Sequence, residues 1–322
     1  MYHRVVVPLD GSELAEDVLP HVAELIRGRD SQVFLLSVTP LMKGTIPPFV
    51  DLRPKRAEQQ RVAQALEEYL RTAAGPLVSV AADVHVNVRL GRPADEILTF
   101  VGEVDADLIA MSTHGRSGLG HRVFGNVTDR VLRGTECPVL LVQAEHTQSR
   151  ASYQRVVVPL DGSELAEQVL PYVQALVRAP QTTPLQQGRF SQSPRVFLVS
   201  VLATGLGERT VALLTSYPPG FQLATTALDH AEVQLRGYLR SVATALRSQG
   251  IAAQIAVRRG APADEILSHA VEVEADVIAM TTHGLSGVSR WVYGDVAGEV
   301  LQEAYTPVLL VRPTFEEGKV ET

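Results

Sequence analysis

The chain has 322 residues, with 29 Lys and Arg against 36 Asp and Glu, for a net charge of −7. That length suits about two average domains, and the acidic balance argues against a protein that clamps DNA or RNA by their phosphates. The single cysteine, Cys137, excludes an intrachain disulfide and a Cys-rich zinc site.

In chain order, the apolar pattern predicts a strand over Arg4–Leu9 and a helix over Ser12–Arg27. Leu14, Val18, Val22, Leu25 and Ile26 form that helix's apolar stripe. Ser12 suits its N-cap and Glu13 its first turn, while Pro20 should bend it. Next come a strand at Gln32–Thr39, a helix at Pro54–Ala74 and a strand at Asp83–Leu90. The helix at Pro93–Glu103 opens on proline, with Asp95 and Glu96 at the positive end of its dipole. A strand at Asp107–Ser112, a helix at Asn126–Arg133 and a strand at Pro138–Val142 close the series. Cys137 reads as a small apolar residue at the start of that last strand, a redox role being the alternative. The polar stretch Gln143–Ser152 then reads as a domain boundary.

After it the chain repeats itself. Arg4–Leu19 (RVVVPLDGSELAEDVL) returns at Arg155–Leu170 with one change, Asp17 to Gln168. Pro171 lies where a proline should again bend the helix. The offset between copies is 151 from Arg4 to Arg155, 163 from Val33 to Val196 and 169 from Pro93 to Pro262, so copy two holds two insertions. One is the polar stretch Gln181–Pro194, a long surface loop by composition. The other lies around Leu202–Gly220. Two domains are expected, 1–146 and 152–313. No apolar run reaches the roughly 18 residues of a membrane span, and the chain opens on a strand rather than a signal peptide. A soluble cytoplasmic protein is expected.

Strands that alternate with helices, and that are continuously apolar, predict in each copy a parallel sheet covered on both faces. Such a doubly wound sheet binds ligands beyond the carboxyl ends of its strands, where strand order reverses. The loops after the first and fourth strands are therefore the ones to inspect. The loop after the fourth strand carries Gly115, Gly118, Gly120 and Gly125, which permit sharp turns or close approach. Gly125-Asn126 then opens a helix whose amides can receive an anion. Copy two keeps Gly284, Gly287 and Gly294. A tight strand-to-helix connection would need similar glycines. What adds weight is that the loop faces Pro8-Leu9-Asp10-Gly11-Ser12 across the switch point.

These segments resemble the universal stress protein family in its tandem two-domain form. The resemblance is carried by Val7-Pro8-Leu9-Asp10-Gly11-Ser12, Thr113-His114-Gly115-Arg116-Ser117-Gly118, Gly125, the strand Pro138–Val142 and their second-copy counterparts. It implies two Rossmann-like sheets of strand order 3-2-1-4-5, of the adenine nucleotide alpha hydrolase type. It also implies an ATP motif of Gly, two residues, Gly, nine residues, Gly, then Ser or Thr. Gly115 and Gly125, and Gly284 and Gly294, keep the nine-residue spacing. The first glycine is replaced by Ser112 and Thr281, and the last position by Asn126 and Asp295. The resemblance places Asp10 and Asp161 near ribose and phosphates, and the backbone of Val38 and Val201 at the adenine edge. The nucleotide-binding candidates in copy one are then Pro8, Asp10, Val38, Met111, Ser112, His114, Gly115, Arg116, Gly118, Gly125, Asn126 and Val127. In copy two they are Asp161, Val201, Thr281, Gly284, Gly287, Gly294 and Asp295. The expected cofactor is ATP, with AMP or ADP as alternatives and Mg²⁺ as companion.

The copies differ in charge. Asn126 reads as a neutral N-cap. Asp295 reads equally as an N-cap, yet its carboxylate would face the γ-phosphate. Two like charges about 4 Å apart at an effective dielectric near 20 repel by about 4 kcal/mol, although a bridging Mg²⁺ reverses the sign. Arg116 in copy one is Leu285 in copy two. Copy one is expected to be the better site. His114 and His283 read as loop-holding residues rather than general bases, and no recurring Ser–His–Asp order or metal cluster appears. The apolar strands Val139–Val142 and Val308–Val311 fall at sheet edges, which invite pairing. Family members commonly dimerise through this strand, so an internal pseudo-dimer is expected, with a homodimer also open. Two function classes follow: a nucleotide-binding stress regulator without a dedicated catalytic site, or a nucleotide-free interaction protein.

Overall fold

Continuous runs of Val, Ile and Leu, which fit a pleated surface buried on both sides, form the strands of each repeat. The computed structural model describes residues 1–39, 53–113, 125–143, 153–177, 194–203, 218–283 and 294–314. These residues divide between two compact units, the second starting at Tyr153.

The first unit runs β1 (Arg4–Pro8), α1 (Glu13–Glu16), α2 (Leu19–Ile26), β2 (Gln32–Thr39), α3 (Arg53–Ala73), α4 (Gly75–Val78), β3 (Asp83–Leu90), α5 (Pro93–Glu103), β4 (Leu108–Thr113), α6 (Asn126–Gly134) and β5 (Val139–Gln143). Its strands pair in the order β3-β2-β1-β4-β5. All are parallel, with Val5 opposite Val33 on one side and Leu108 on the other. The second unit runs β6 (Arg155–Pro159), α7 (Glu164–Glu167), α8 (Leu170–Val177), β7 (Arg195–Ala203), α9 (Pro218–Ser248), β8 (Ala252–Gly260), α10 (Pro262–Glu272), β9 (Val277–Thr281), α11 (Asp295–Glu303) and β10 (Val308–Val311). Its order, β8-β7-β6-β9-β10, repeats the first, again all parallel. In both, Val5-Val6-Val7 and Val156-Val157-Val158 are fully buried at the centre.

Three local features depart from the pattern read in the sequence. The first helix is not one bent rod but two helices, broken at Asp17-Val18, with Pro20 in the opening turn of α2. The Pro20 ring excludes the carbonyl four residues back and supplies no N–H to bond it, which can break a helix as well as bend it. A short α4 follows α3. At the start of β4, Asp107 accepts from the amides of His3 and Arg4 at 2.9 and 3.0 Å. Asp276 does the same for Gln154 and Arg155 at 2.8 and 2.7 Å. These aspartates fasten the amino ends of the central strands, away from the end where strand order reverses. The stretches Gly115–Phe124, Gln143–Ser152 beyond its first residue, and Gln181–Ser193 lie outside the described residues.

Candidate functional site

The carboxyl end of β1 turns immediately. Gly11 has φ +89° and Gly162 φ +90°, in a region that side chains rarely adopt. Asp10 Oδ1 accepts from the Ser12 amide at 3.0 Å and its hydroxyl at 2.6 Å. Ser12 Oγ in turn accepts from the Ala15 amide at 3.2 Å, so Ser12 caps α1 as its sequence predicts. Copy two repeats this residue for residue. Asp161 accepts from Ser163 at 3.0 and 2.6 Å, and Ser163 caps α7 through Ala166 at 3.0 Å.

Beyond β4 and β9 the chain enters α6 and α11. Their N-caps are Gly125 and Gly294, with extended dihedrals of φ −57°, ψ 148° and φ −59°, ψ 152°. This corrects the reading of Asn126 and Asp295 as N-caps: each is the first helical residue. A carboxylate at that position lies at the dipole's positive end without capping an amide. In copy two the loop closes on itself at its base. The Gly294 amide donates to the Thr282 carbonyl at 2.9 Å, and the Thr282 amide to Val311 O at 2.9 Å. The Thr281 hydroxyl donates to the His283 carbonyl at 2.7 Å, and the Thr282 hydroxyl pairs with His283 Nδ1 at 2.9 Å.

A cavity of about 420 Å³ opens there, between the ends of β6, β7 and β9 and the start of α11. Asp161, Val201, Thr281, Gly294 and Asp295 all line it. Gly284 and Gly287 lie outside the described residues. The cavity also takes in Pro159, Met280, His283, Val296 and the α10 residues Pro262 and Ile266. The α10 pair was missed in the sequence: Pro262 repeats Pro93 but reads only as a helix start. In copy one, Pro8 ends β1, Asp10 lies in the turn, Val38 in β2, Met111 and Ser112 in β4, Gly125 at the α6 N-cap, and Asn126 and Val127 in α6. His114, Gly115, Arg116 and Gly118 lie outside the described residues.

A second repeated feature was not foreseen. Burial, then the neighbouring Glu16 carboxylate, pushes the Tyr69 phenol up, with Asp10 also facing it. Burial and Glu167 do the same to Tyr238, which faces Asp161. Each ring thus braces the turn after the first strand from the long helix. Its only sequence signal is recurrence at the common offset. Elsewhere, burial pushes the Cys137 thiol up to about 12, and it donates to the Ala106 carbonyl at 3.4 Å. That is the inert small residue of the first reading rather than a thiolate. Among the described residues, no group of three or more His, Cys, Asp or Glu could hold a metal ion, and no helix is long and apolar enough to cross a membrane.

The sequence profile of the universal stress protein family matches residues 1–143 and 194–312. The chain belongs to the universal stress protein family. A universal stress protein of Methanocaldococcus jannaschii is 30% identical over 147 residues, 44% of this chain and 83% of that protein. One from Methanothermobacter thermautotrophicus is 31% identical over 153 residues, 44% of this chain and 97% of the relative. A relative of that size matches one repeat, which makes this chain two universal stress protein domains in tandem. A crystal structure of a universal stress protein from Archaeoglobus fulgidus covers 98% of both chains at a TM-score of 0.64 and 19% identity, a likeness of fold.

Proposed function

We propose that the chain is a stress-response regulator that binds an adenine nucleotide, ATP first, at the ends of the first and fourth strands of each repeat. The observation that supports this most is the copy-two cavity, lined by all five of that copy's described candidates. Its volume of about 420 Å³ falls within the ~300–1,000 Å³ usual for small-molecule sites, and apolar walls with a few polar groups are the usual composition. Asp10 and Asp161 suit the ribose, Val38 and Val201 the adenine edge, and the starts of α6 and α11 the phosphates. Mg²⁺ favours carboxylate and phosphate oxygens together. Lacking a metal cluster among the described residues, it would be held jointly by the nucleotide and one of these aspartates.

Copy one is the better site in this reading, because Asn126 is neutral where Asp295 is anionic. The proposed domains are 1–146 and 152–313, and the apolar closing strands are the proposed surfaces for pairing. The test is mass spectrometry of small molecules released by denaturing the purified protein, together with thermal shift on adding Mg-ATP. Adenine nucleotide near one equivalent, or a Tm that rises with ATP, is expected. Neither result would leave the second reading, a nucleotide-free interaction protein.

A further inference from the structure

The two repeats differ at the outer edge of the sheet. In copy two the edge strand is β8, and Arg259 near its end donates to Asp229 at 2.7 Å and to Glu232 at 2.6 Å, both on α9. At the offset of 169 the matching residues of copy one are Leu90, Gln60 and Ala63, which cannot form such a clamp. Leu90 is 46% exposed. A groove of about 570 Å³ lies between Gln60 and Ala63 of α3 and Val86 and Val88 of β3. Lysines, prolines and bulges commonly blunt a sheet edge, and β3 (DVHVNVRL) has neither lysine nor proline. The outer side of β3 follows from one hydrogen bond. The Gly91 amide donates to Thr39 O at 3.0 Å, and Leu90 lies opposite Thr39 in the parallel register. Backbone groups alternate sides along a strand. Asp83, His85, Asn87 and Arg89 therefore turn theirs towards β2, and Val84, Val86 and Val88 turn theirs outwards. No strand pairs on that side among the described residues.

Side chains alternate as well. Val86 and Val88 lie towards α3, while the His85 ring stacks on Phe34 at 4.7 Å and Arg89 lies over Phe100. This strand complements itself in charge and in pattern. Set antiparallel to a second copy about Val86, it brings Val86 to Val86, Val84 to Val88 and Asp83 to Arg89, the last at both ends. The valines then occupy the hydrogen-bonded positions, and the opposite charges the closer, non-hydrogen-bonded ones. Arg89 also pairs with Glu103, but a guanidinium has donors enough for two carboxylates. β8 has no acidic residue in Ala252–Gly260, so neither a second β8 nor a β3 facing it meets every arginine with a carboxylate. We propose that β3 is a homodimer interface, through which two copies of the chain pair antiparallel, edge to edge, about a two-fold axis at Val86. The partner's valines extend the apolar floor of the groove beside α3. This surface is separate from the strand ends proposed to bind nucleotide, and from the closing strands proposed for pairing of the repeats.

The test is analytical ultracentrifugation of the full chain, without nucleotide, over a range of concentrations. The unmodified chain is expected to sediment as a dimer in the micromolar range. Asp83→Arg and Arg89→Asp each set like charges opposite one another at both ends. Each variant alone is expected to raise the dimer Kd by at least about tenfold. Mixed in equal amounts, the two variants again face opposite charges at both ends, and the mixture is expected to dimerise like the parent. Val86→Pro removes an outward amide and spares the bonds to β2, so it is expected to be folded by thermal melting and monomeric. A chain that is monomeric at every concentration overturns the proposal. So does a dimer that the charge variants and Val86→Pro all leave intact, because its pairing lies on another surface. Growth beyond the dimer into open chains shows head-to-tail joining and overturns it too. Two monomeric charge variants whose mixture stays monomeric do the same.

Discussion

The hydroxyls of Ser12 and Ser163 each act in two directions, donating to an aspartate at 2.6 Å and accepting from an amide of the following helix. Removing such a cap typically costs about 0.5–2 kcal/mol, and here it also unties the aspartate proposed to meet the ribose. Ser12→Ala should lower the unfolding free energy of the first unit by that amount, read as a lower urea midpoint at unchanged m, and weaken ATP binding. An unchanged midpoint would show that the turn holds through Gly11 alone. His21 is a different case, because its ring is buried at 2% exposure and burial pulls it down to about 4. The unfolded chain therefore takes up this proton first. Stability is full above about pH 6.5 and falls as pH drops from there towards about 4, by roughly 3 kcal/mol in all. His21→Leu should flatten the dependence of the urea midpoint on pH across that window. A variant as pH-sensitive as the parent would place the proton elsewhere.

Among the elements, the strands carry the stability and the helix ends the proposed binding. Ile109 lies in β4, fully buried, opposite Val6 on one side and Val139 on the other. Ile109→Ala should cost about 2–5 kcal/mol, as core truncations of this kind do. It should leave any ligand stoichiometry unchanged below the new Tm, and a loss of sites in the folded variant would contradict the division of labour. The outer elements show how far one frame tolerates different chemistry. In copy one Arg89 pairs with Glu103 and lies over the Phe100 ring, 5.1 Å from its centroid. In copy two the matching Arg258 is held by Glu265 at 2.7 Å and by Glu272, and His269 replaces the phenyl ring. Burial, then the neighbouring Arg258 charge, lowers His269. Both repeats place these residues on the third strand and the helix that follows it, so the exchange is local.

At the scale of the whole molecule, the duplication makes each repeat a separate folding candidate, since each has its own fully buried central strands. Residues 1–146 and 152–313, made as separate chains, should each unfold cooperatively in urea. A half that folds only when joined to the other would contradict those boundaries. Much of this was legible beforehand. Continuous apolar runs, apolar stripes of period 3.6, proline at first helical positions and the Ser12 cap act over a few residues, so strand and helix positions and the repeated α/β plan could be read from the sequence. The family could be read there as well, from glycines and aspartates at fixed spacing. Only the tertiary structure decided that Gly125 and Gly294, not their successors, cap the helices. It also brought Ile266 and Pro262 onto the cavity wall, set Tyr69 and Tyr238 against the turns after the first strands, and committed the Thr281 and Thr282 hydroxyls to the loop. The cavity wall and the tyrosine contacts depend on groups tens of residues or more apart meeting in space, and even for the nearby Thr281, Thr282 and His283 no local pattern encodes which polar atom finds which partner.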